Sequence, residues 1–304
     1  MTSPRHRPFR TRDAAALGIT RGALAGPRFR QVFRGVHVAA DAPDTVALRA
    51  DAAALLCPPE SAFCGRTAAQ LRGLPVDDDG AVHVALPRGV SPPDRRAGLC
   101  LHLAVPLDVV DRRGGRRLVP VPETWLGVAK ECGVDEGGPV DLVILGDAIL
   151  RRQTSSVDEL AEHLERSRGR SGVPLARRAL PLLRTRVDSP METRTRLLLV
   201  FAGLPCPETN VPVFDDHGQR IGRPDLAYRR LRLAIQYEGD VHRTDRRRWQ
   251  QDVGRDEVLQ EHDWRVIKVV ADDVFRRPVL LVRRVMAAAE RQRAVLHLPA
   301  GFWL

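Results

Sequence analysis

Two kinds of hydrophobic spacing run along the chain. In some segments apolar residues recur every three or four positions, and in others apolar and polar residues alternate. The first spacing is typical of a helix with one buried face, and the second of a half-buried strand. Residues 41–185 contain both: helices are expected at 44–56, 64–74, 123–132, 139–151, 155–168 and 174–184, and strands at 81–87 and 99–104. This mixture predicts an α/β (α+β) region.

The first forty residues follow a different pattern. A short helix is expected over 11–17, and Gly18 after it can take the positive φ of a tight turn. Thr20 is a good N-cap for a second helix that ends near Ala25. A helix, a glycine turn and a second helix at this spacing are typical of a helix-turn-helix.

The segment 29–38 alternates apolar and basic residues around Gly35, which predicts a pair of strands, or wing. Together with the two helices before it, this segment predicts a winged helix-turn-helix over 1–40. A helical hairpin that only packs against its neighbours is the alternative. Four basic side chains are the expected DNA contacts: Arg21, Arg28, Arg30 and Arg34.

A third pattern begins at Ser189-Pro190, which is expected to open a helix that stops before Gly203. Strands are then expected at 210–214, 220–228 and 231–237, a polar helix at 245–262, a core strand at 264–270 and a last helix at 278–293. The order of elements predicts a layered α/β unit. The expected division of the chain is 1–40, 41–186, 187–295 and a tail at 296–304.

Acidic and polar residues converge in this last unit. Asp225 is expected in the middle of one strand, and Gln236 and Glu238 share a face of the next, since residues two apart point the same way. Glu192, in the first turn of the preceding helix, could approach the same edge. Carboxylates gathered in this way repel each other unless a cation lies between them, and their oxygens suit Mg²⁺ or Mn²⁺. His242 could transfer a proton.

A purely structural role is the alternative for several of these residues. Glu192 could serve only to complement the helix dipole, and His242 could be an ordinary loop residue. The acidic and basic positions Asp252, Arg255 and Asp256 could form a solvated helix face or an internal salt bridge. On the two strands of the middle region, His83 and His102 are expected as surface or core histidines rather than as ligands.

The same residues resemble the PD-(D/E)XK nuclease superfamily, in the branch related to very-short-patch-repair endonucleases. The matching positions, in order, are Ser189-Pro190-Met191-Glu192, Asp225, Gln236-Tyr237-Glu238-Gly239, His242, Asp252, Arg255-Asp256 and Trp264-Arg265-Val266. The resemblance implies a restriction-endonuclease-like αβββαβα domain that cleaves DNA with Mg²⁺ or Mn²⁺ bound by Asp225, Glu238 and Glu192. Two positions depart from it: Gln236 replaces an acid, and Glu238 stands where many members have lysine.

A weaker resemblance covers residues 9–75. The winged-helix pattern and the segment ESAFCGRTAAQLRGL at 60–74 are similar to the head and following region of abortive-infection type IV antitoxins. That family implies DNA binding and autoregulation. Two functions therefore stay open: a DNA-binding protein with a metal-dependent endonuclease domain, acting in repair or defence, and a transcriptional regulator or antitoxin-like protein with a catalytically degenerate nuclease fold.

Charge and cysteine content bear on partner and compartment. The net charge is +10, and Lys130 and Lys268 are the only lysines among 48 basic residues. The planar guanidinium group of arginine is suited to bind phosphate, which favours DNA as a partner. A GC-rich genome would also raise the arginine content, without any role in DNA binding. Five widely spaced cysteines without a CxxC pair indicate neither disulfides nor a zinc finger. Without a long apolar run, a cytoplasmic location off the membrane is expected; no oligomeric state follows.

Overall fold

A computed structural model describes residues 6–103, 107, 110–132, 139–239 and 256–298. The chain forms two compact units, of which the first comprises Met1–Leu145 and Ser155–Pro181 and the second Gly146–Thr154 and Leu182–Leu304. Each unit combines helices with β-sheet, which confirms the mixed α/β class. Among the described residues, every helix is too short or too polar to span a membrane.

The first unit begins with a three-stranded antiparallel sheet in the order β1-β3-β2. Its strands are β1 (Phe9–Arg10), β2 (Phe29–Phe33) and β3 (Val36–Ala39). Helix α1 (Arg21–Ala25) lies in the chain between β1 and β2. The expected cap is confirmed, because Thr20 Oγ1 accepts a hydrogen bond from the N–H of Ala23 at 3.2 Å.

The helix expected over 11–17 is wrong. That segment forms two short 3₁₀ turns, Thr11–Asp13 and Ala15–Leu17, and ends at Gly18 with φ of 71°. Short helices are stabilised mainly by packing one apolar face, and within this segment only Ala14 is buried. A regular α-helix would therefore gain too little contact here.

A five-stranded mixed sheet forms the rest of the first unit's core, in the order β6-β5-β4-β8-β7. Its strands are β4 (Ala62–Phe63), β5 (Val82–Ala85), β6 (Leu99–His102), β7 (Asp111–Arg113) and β8 (Arg116–Leu118). The other helices of this unit are α2 (Val46–Ala54), α3 (Gly65–Leu71), α4 (Val121–Glu131), α6 (Val157–Arg166) and α7 (Val173–Ala179). Helix α5 (Val140–Arg151) begins in the first unit, and its residues from Gly146 onward belong to the second. Phe33 and Val36 of the first sheet pack in one core with Val82 and Val84.

The strands β7 and β8 form a short basic hairpin. They pair as an antiparallel hairpin whose turn is Gly114-Gly115, with positive φ at both glycines. Arg116 explains why the segment is ordered, because its guanidinium donates two hydrogen bonds, at 2.8 and 2.7 Å, to the carboxylate of Asp51.

The second unit is built on a four-stranded sheet in the order β14-β13-β12-β9. Its strands are β9 (Glu208–Thr209), β12 (Leu226–Tyr228), β13 (Leu233–Tyr237) and β14 (Arg265–Val269), and a separate two-stranded sheet holds β10 (Val213–Phe214) and β11 (Arg220–Gly222). The helices are α8 (Pro190–Phe201), α9, whose described part is 256–261, α10 (Ala271–Phe275) and α11 (Pro278–Val295). Strands β9, β12 and β13 run antiparallel in turn, and β14 runs parallel to β13.

The single strand expected over 220–228 is wrong, because the chain changes sheets there. Strand β11 ends at Gly222 and β12 begins at Leu226, so Asp225 lies at the joint and not within a strand. Pro224 accounts for the break, since proline has no N–H to donate to a ladder. The expected antiparallel pairing with the strand that carries Gln236 is confirmed, with Leu226 opposite Ile235.

A buried ion pair fixes helix α8 within the second unit. Arg196 is fully buried, and its Nη2 donates to Asp147 Oδ2 at 2.7 Å. Asp147 also accepts hydrogen bonds from Thr193 Oγ1 at 2.8 Å and from the N–H of Arg184 at 2.7 Å. These contacts orient the helix whose first turn carries Glu192.

Candidate active site

Asp225 lies against the end of strand β13. The N–H of Tyr237 donates to Asp225 Oδ2 at 2.8 Å, and the N–H of Asn210 donates to the Asp225 carbonyl at 2.9 Å. Burial, followed by the nearby charge of Glu192, raises the pKa of Asp225 to about 7. An acid with this pKa is about half ionised near neutral pH.

Glu192 occupies the first turn of α8 and is buried, with 6% of its surface exposed. Its Oε2 accepts hydrogen bonds from Asn210 Nδ2 at 2.6 Å and from the N–H of Asp188 at 2.9 Å. Burial raises the pKa of Glu192, and its charge acts on Asp225. If Glu192 only complemented the helix dipole, neither its burial nor its hydrogen bond from Asn210 would be required. Asn210 thus holds both acids.

A lysine completes the other side of the site. Lys268 Nζ donates to Gln236 Oε1 at 2.7 Å and lies 3.3 Å from Glu238 Oε1. It also forms an ion pair with Asp256. This is the internal salt bridge that was one of the alternatives expected for Asp256. The positive charge of Lys268 offsets a small part of the rise in the pKa of Asp225, so the lysine acts electrostatically on the acid pair.

Lys268 was not among the residues expected at the site. Glu238 occupies the lysine position of the motif that the sequence resembles, and the structure supplies a lysine from β14 instead, where Lys268 pairs directly with Gln236. A signal was present, since Lys268 is one of two lysines and alternates with Ile267 and Val269 on a core strand.

The acids do not form one compact ligand set. Among the residues that the structure describes, the oxygens of Glu192, Asp225 and Glu238 are not all within 4.8 Å of one another. Gln236 and Glu238 instead face Lys268, while Glu192 and Asp225 are joined through Asn210. His242 lies outside the described residues, as do Asp252 and Arg255.

A cleft of about 600 Å³ lies beside Asn210, the residue that is hydrogen-bonded to both acids. Its lining includes Asn210, which binds Glu192, and three arginines, Arg186, Arg220 and Arg223. Arg223 is ion-paired with Asp188 at the same cleft. Arginine side chains around a polar cleft are suited to bind phosphate.

The four arginines expected to contact DNA differ in exposure. Arg21, Arg28 and Arg34 are exposed, and Arg34 lies in the turn between β2 and β3. Arg30 is half-buried, and its Nη2 donates to the carbonyl of Ala42 at 3.1 Å. Arg30 therefore contributes to the packing of its own unit, whereas the other three present their charge to solvent.

Two relatives from Mycobacterium tuberculosis match nearly the whole chain. They are Uncharacterized protein MT2308 of strain CDC 1551 / Oshkosh and Uncharacterized protein Rv2248 of strain ATCC 25618 / H37Rv, each 31% identical over 283 residues. The match covers 93% of this chain and 98% of each relative. The chain therefore belongs to the same family as Rv2248 and MT2308.

Other comparisons add little. The crystal structure of RV2827C protein from Mycobacterium tuberculosis is similar over 69% of this chain and 84% of that one, with 16% identity and a TM-score of 0.41. No protein-family model matches the chain.

Proposed function

We propose that this protein binds DNA and that its second unit is a metal-dependent endonuclease of the PD-(D/E)XK type, in the very-short-patch-repair-like branch. The observation that carries the proposal is a buried acid pair, Glu192 and Asp225, hydrogen-bonded to the end of strand β13 that carries the Gln236-Lys268-Glu238 group. The proposed reaction is hydrolysis of a DNA phosphodiester bond.

The order of elements in the second unit supports this proposal. Helix α8, the strands β9, β12 and β13, helix α9, strand β14 and helix α11 follow the αβββαβα order that the resemblance implies. The connection from β13 through α9 to the parallel strand β14 is a further agreement. Strands β10 and β11 form an additional small sheet.

The acid pair fits a divalent cation. Asp225 is kept partly protonated by burial beside a second carboxyl group, and a cation at that place would relieve the repulsion between them. Asp225 and Glu192 would hold Mg²⁺ or Mn²⁺, whose oxygen preference they meet. Glu238, which the resemblance assigns to the same ion, would have to leave Lys268 to join them. When bound, such an ion polarises a phosphate and lowers the pKa of a water that attacks it.

The other side chains have separate parts in the proposed reaction. Lys268 places an ammonium group beside Gln236 and Glu238, where it would stabilise negative charge that develops on the phosphate. Gln236, held by Lys268, would orient the attacking water. Transfer of a proton to the leaving oxygen is the role proposed for His242.

The arginine-lined cleft and the first unit would hold the DNA. Arg186, Arg220 and Arg223 would contact phosphates next to the acid pair. In the first unit, the β1-β3-β2 sheet with α1 between β1 and β2 supports the wing and the second helix of the proposed winged helix-turn-helix, whose first helix is replaced by the 3₁₀ turns at 11–17. The exposed Arg21, Arg28 and Arg34 would bind the backbone of the duplex there.

The experiment that tests the activity is incubation of supercoiled plasmid with the full-length protein, in parallel with Mg²⁺, with Mn²⁺ and with EDTA. Conversion to nicked or linear DNA that requires the metal is expected. Mismatched duplexes are included as substrates because of the resemblance to repair enzymes. Absence of cleavage on all of them would remove the enzymatic part of the proposal.

A second candidate function is a transcriptional regulator or antitoxin-like protein whose nuclease fold is inactive. Gln236 in place of an acid favours it, as does the separation of Glu238 from the acid pair. This function predicts binding to DNA upstream of its own gene without cleavage. Arg21→Ala and Arg34→Ala would then abolish binding, and Asp225→Asn would have no effect on any measured activity.

A further inference from the structure

A second cluster of polar side chains lies entirely within the first unit. His83 on β5, His102 at the end of β6 and Glu131 at the end of α4 meet there. His83 Nδ1 is 3.0 Å from His102 Nε2 and 3.0 Å from Glu131 Oε1, and the last two atoms are 3.8 Å apart. The sequence predicted two unrelated histidines, so their convergence with a carboxylate is a new observation.

The fold holds these three residues in place. Strands β5 and β6 are parallel with Ala85 opposite His102, and the two imidazole rings stack with centroids 5.3 Å apart. The Glu131 carboxylate packs on Gly65, where an added Cβ would meet Glu131 Oε1 at 1.7 Å. Only glycine leaves room for the carboxylate to reach the histidines.

The atoms behind the cluster fix its chemistry. His83 Nε2 is 2.9 Å from Asp79 Oδ2, an acceptor-only group when ionised, so Nε2 carries the donated proton, and the neutral ring presents the lone pair of Nδ1. Glu131 Oε2 accepts the N–H of Arg66 at 3.0 Å. A carboxylate behind a histidine is the usual outer support of a metal-bound imidazole.

One atom of the cluster has no satisfactory partner of its own. Glu131 Oε1 is buried and accepts no hydrogen bond of suitable geometry, although His83 Nδ1 lies 3.0 Å away. The Glu131 side chain is only 8% exposed, and that of His83 7%. A buried carboxylate oxygen left in this way is costly unless a cation or proton binds it.

We propose that His83 Nδ1, His102 Nε2 and Glu131 Oε1 bind one divalent transition-metal ion, with Zn²⁺ as the first choice. Two imidazoles and one carboxylate form a ligand set that suits Zn²⁺ and its neighbours in the first transition row. Ligands around tetrahedral Zn²⁺ at about 2.0–2.1 Å lie roughly 3.3 Å from one another, and the three measured separations span that value. The ion would join β5, β6 and the end of α4.

The site is independent of the proposed nuclease, because all of its ligands belong to the first unit. Three protein ligands leave a fourth position for water or another small ligand. The rival explanation is a proton instead of a metal, with a doubly protonated His83 bridging Asp79 and Glu131. The two explanations differ in whether a stoichiometric metal binds.

The test uses the full-length protein, freed of any affinity tag and stripped with a chelator. Zn²⁺ and Co²⁺ are titrated in calorimetry, with metal analysis after gel filtration and the visible absorption of Co²⁺ as a second readout. We expect one equivalent of metal at this site and a Co²⁺ spectrum typical of tetrahedral nitrogen and oxygen ligands.

Matched histidine variants give the decisive comparison. His102→Gln is expected to weaken binding at least tenfold and to remove the Co²⁺ spectrum. His163→Gln is the control, since His163 is also a half-buried histidine bonded to a carboxylate, Glu123, at 2.9 Å. Asp79→Asn is expected to weaken binding about 10- to 100-fold by removing the support of His83.

Circular dichroism of each variant without metal separates loss of binding from loss of fold. Wild type that binds neither metal overturns the proposal in favour of the bridging proton. Binding that His102→Gln leaves unchanged overturns it as well. Asp225→Asn is expected still to bind one equivalent of metal at the histidine site. Failure of the nuclease proposal would therefore leave this result intact.

Discussion

Lys268 Nζ donates a hydrogen bond to Gln236 Oε1 at 2.7 Å, across two parallel strands that pair these residues directly. The lysine thereby lies beside the position where the nucleases that this sequence resembles carry an acid, and 3.3 Å from Glu238. The uncharged amide of Gln236 accepts a hydrogen bond from the Lys268 ammonium group, and the carboxylates of Glu238 and Asp256 balance the positive charge of the lysine. This arrangement makes Lys268 a candidate for stabilising charge during phosphodiester hydrolysis.

Replacing Lys268 tests that role. Lys268→Gln is expected to reduce the rate of metal-dependent plasmid cleavage by about 10²-fold or more, because a donor aimed at developing charge is lost. The matched control is Lys130→Gln, which changes the other lysine at an exposed position of α4. Equal cleavage rates for Lys268→Gln and wild type, measured under single-turnover conditions, would contradict the assigned role.

The pKa of Asp225 predicts an unusual pH dependence of stability. Its folded value of about 7 lies above the unfolded value of about 3.9, so ionisation is less favourable in the folded protein. The folded state binds more protons between these two values, and stability attributable to Asp225 is therefore lost as pH rises from 4 to 7.

Asp225→Asn removes that penalty and keeps an oxygen for the N–H of Tyr237. The free energy of unfolding of this variant, relative to wild type, is expected to rise by about 2–4 kcal/mol between pH 4 and pH 8 without divalent metal. Urea denaturation at several pH values measures the difference. A difference that does not change with pH would show that Asp225 titrates as an ordinary carboxyl group.

The buried pair Arg196 and Asp147 gives a prediction about stability. Arg196→Met leaves the Asp147 carboxylate buried without its cation, which is expected to cost about 3–5 kcal/mol in the free energy of unfolding. The double variant Asp147→Leu, Arg196→Met removes both charges and should recover most of that loss. If the double variant is no more stable than Arg196→Met, the ion pair is not the source of the effect.

The exposed arginines of the first unit predict a salt-dependent affinity for DNA. Arg34→Ala and Arg21→Ala are each expected to weaken duplex binding and to lower the slope of log affinity against log salt by about one. Arg166→Ala, at an exposed position on α6, is the control and should leave the slope unchanged. Arg30→Ala should instead lower stability, because Arg30 bonds the carbonyl of Ala42.

Local pattern predicted much of the secondary structure. The helix expected to open at Pro278 is α11, and the cap expected at Thr20 is present. Both depend on residues next to each other in the chain, where propensity and capping act. Pro224 is a local signal of the same kind for the break between β11 and β12, although the alternation on either side of it is also typical of one strand.

Contacts between distant residues were harder to predict. Gln236 and Lys268 are 32 positions apart, and only the parallel pairing of β13 with β14 brings them together. His83, His102 and Glu131 come from two strands and a helix end, with no short spacing to mark them. Asn210, which holds both Glu192 and Asp225, has a left-handed backbone with φ of 48° that no periodic pattern indicates.

The most direct test of the central claim compares Asp225→Asn with wild type in Mg²⁺-dependent cleavage of supercoiled plasmid. Glu290→Gln, an exposed carboxylate changed to its amide on α11, is the matched control. The proposed endonuclease predicts cleavage by wild type and Glu290→Gln and a loss of about 10²-fold or more in Asp225→Asn. Cleavage by Asp225→Asn at the wild-type rate would contradict the assignment of this site.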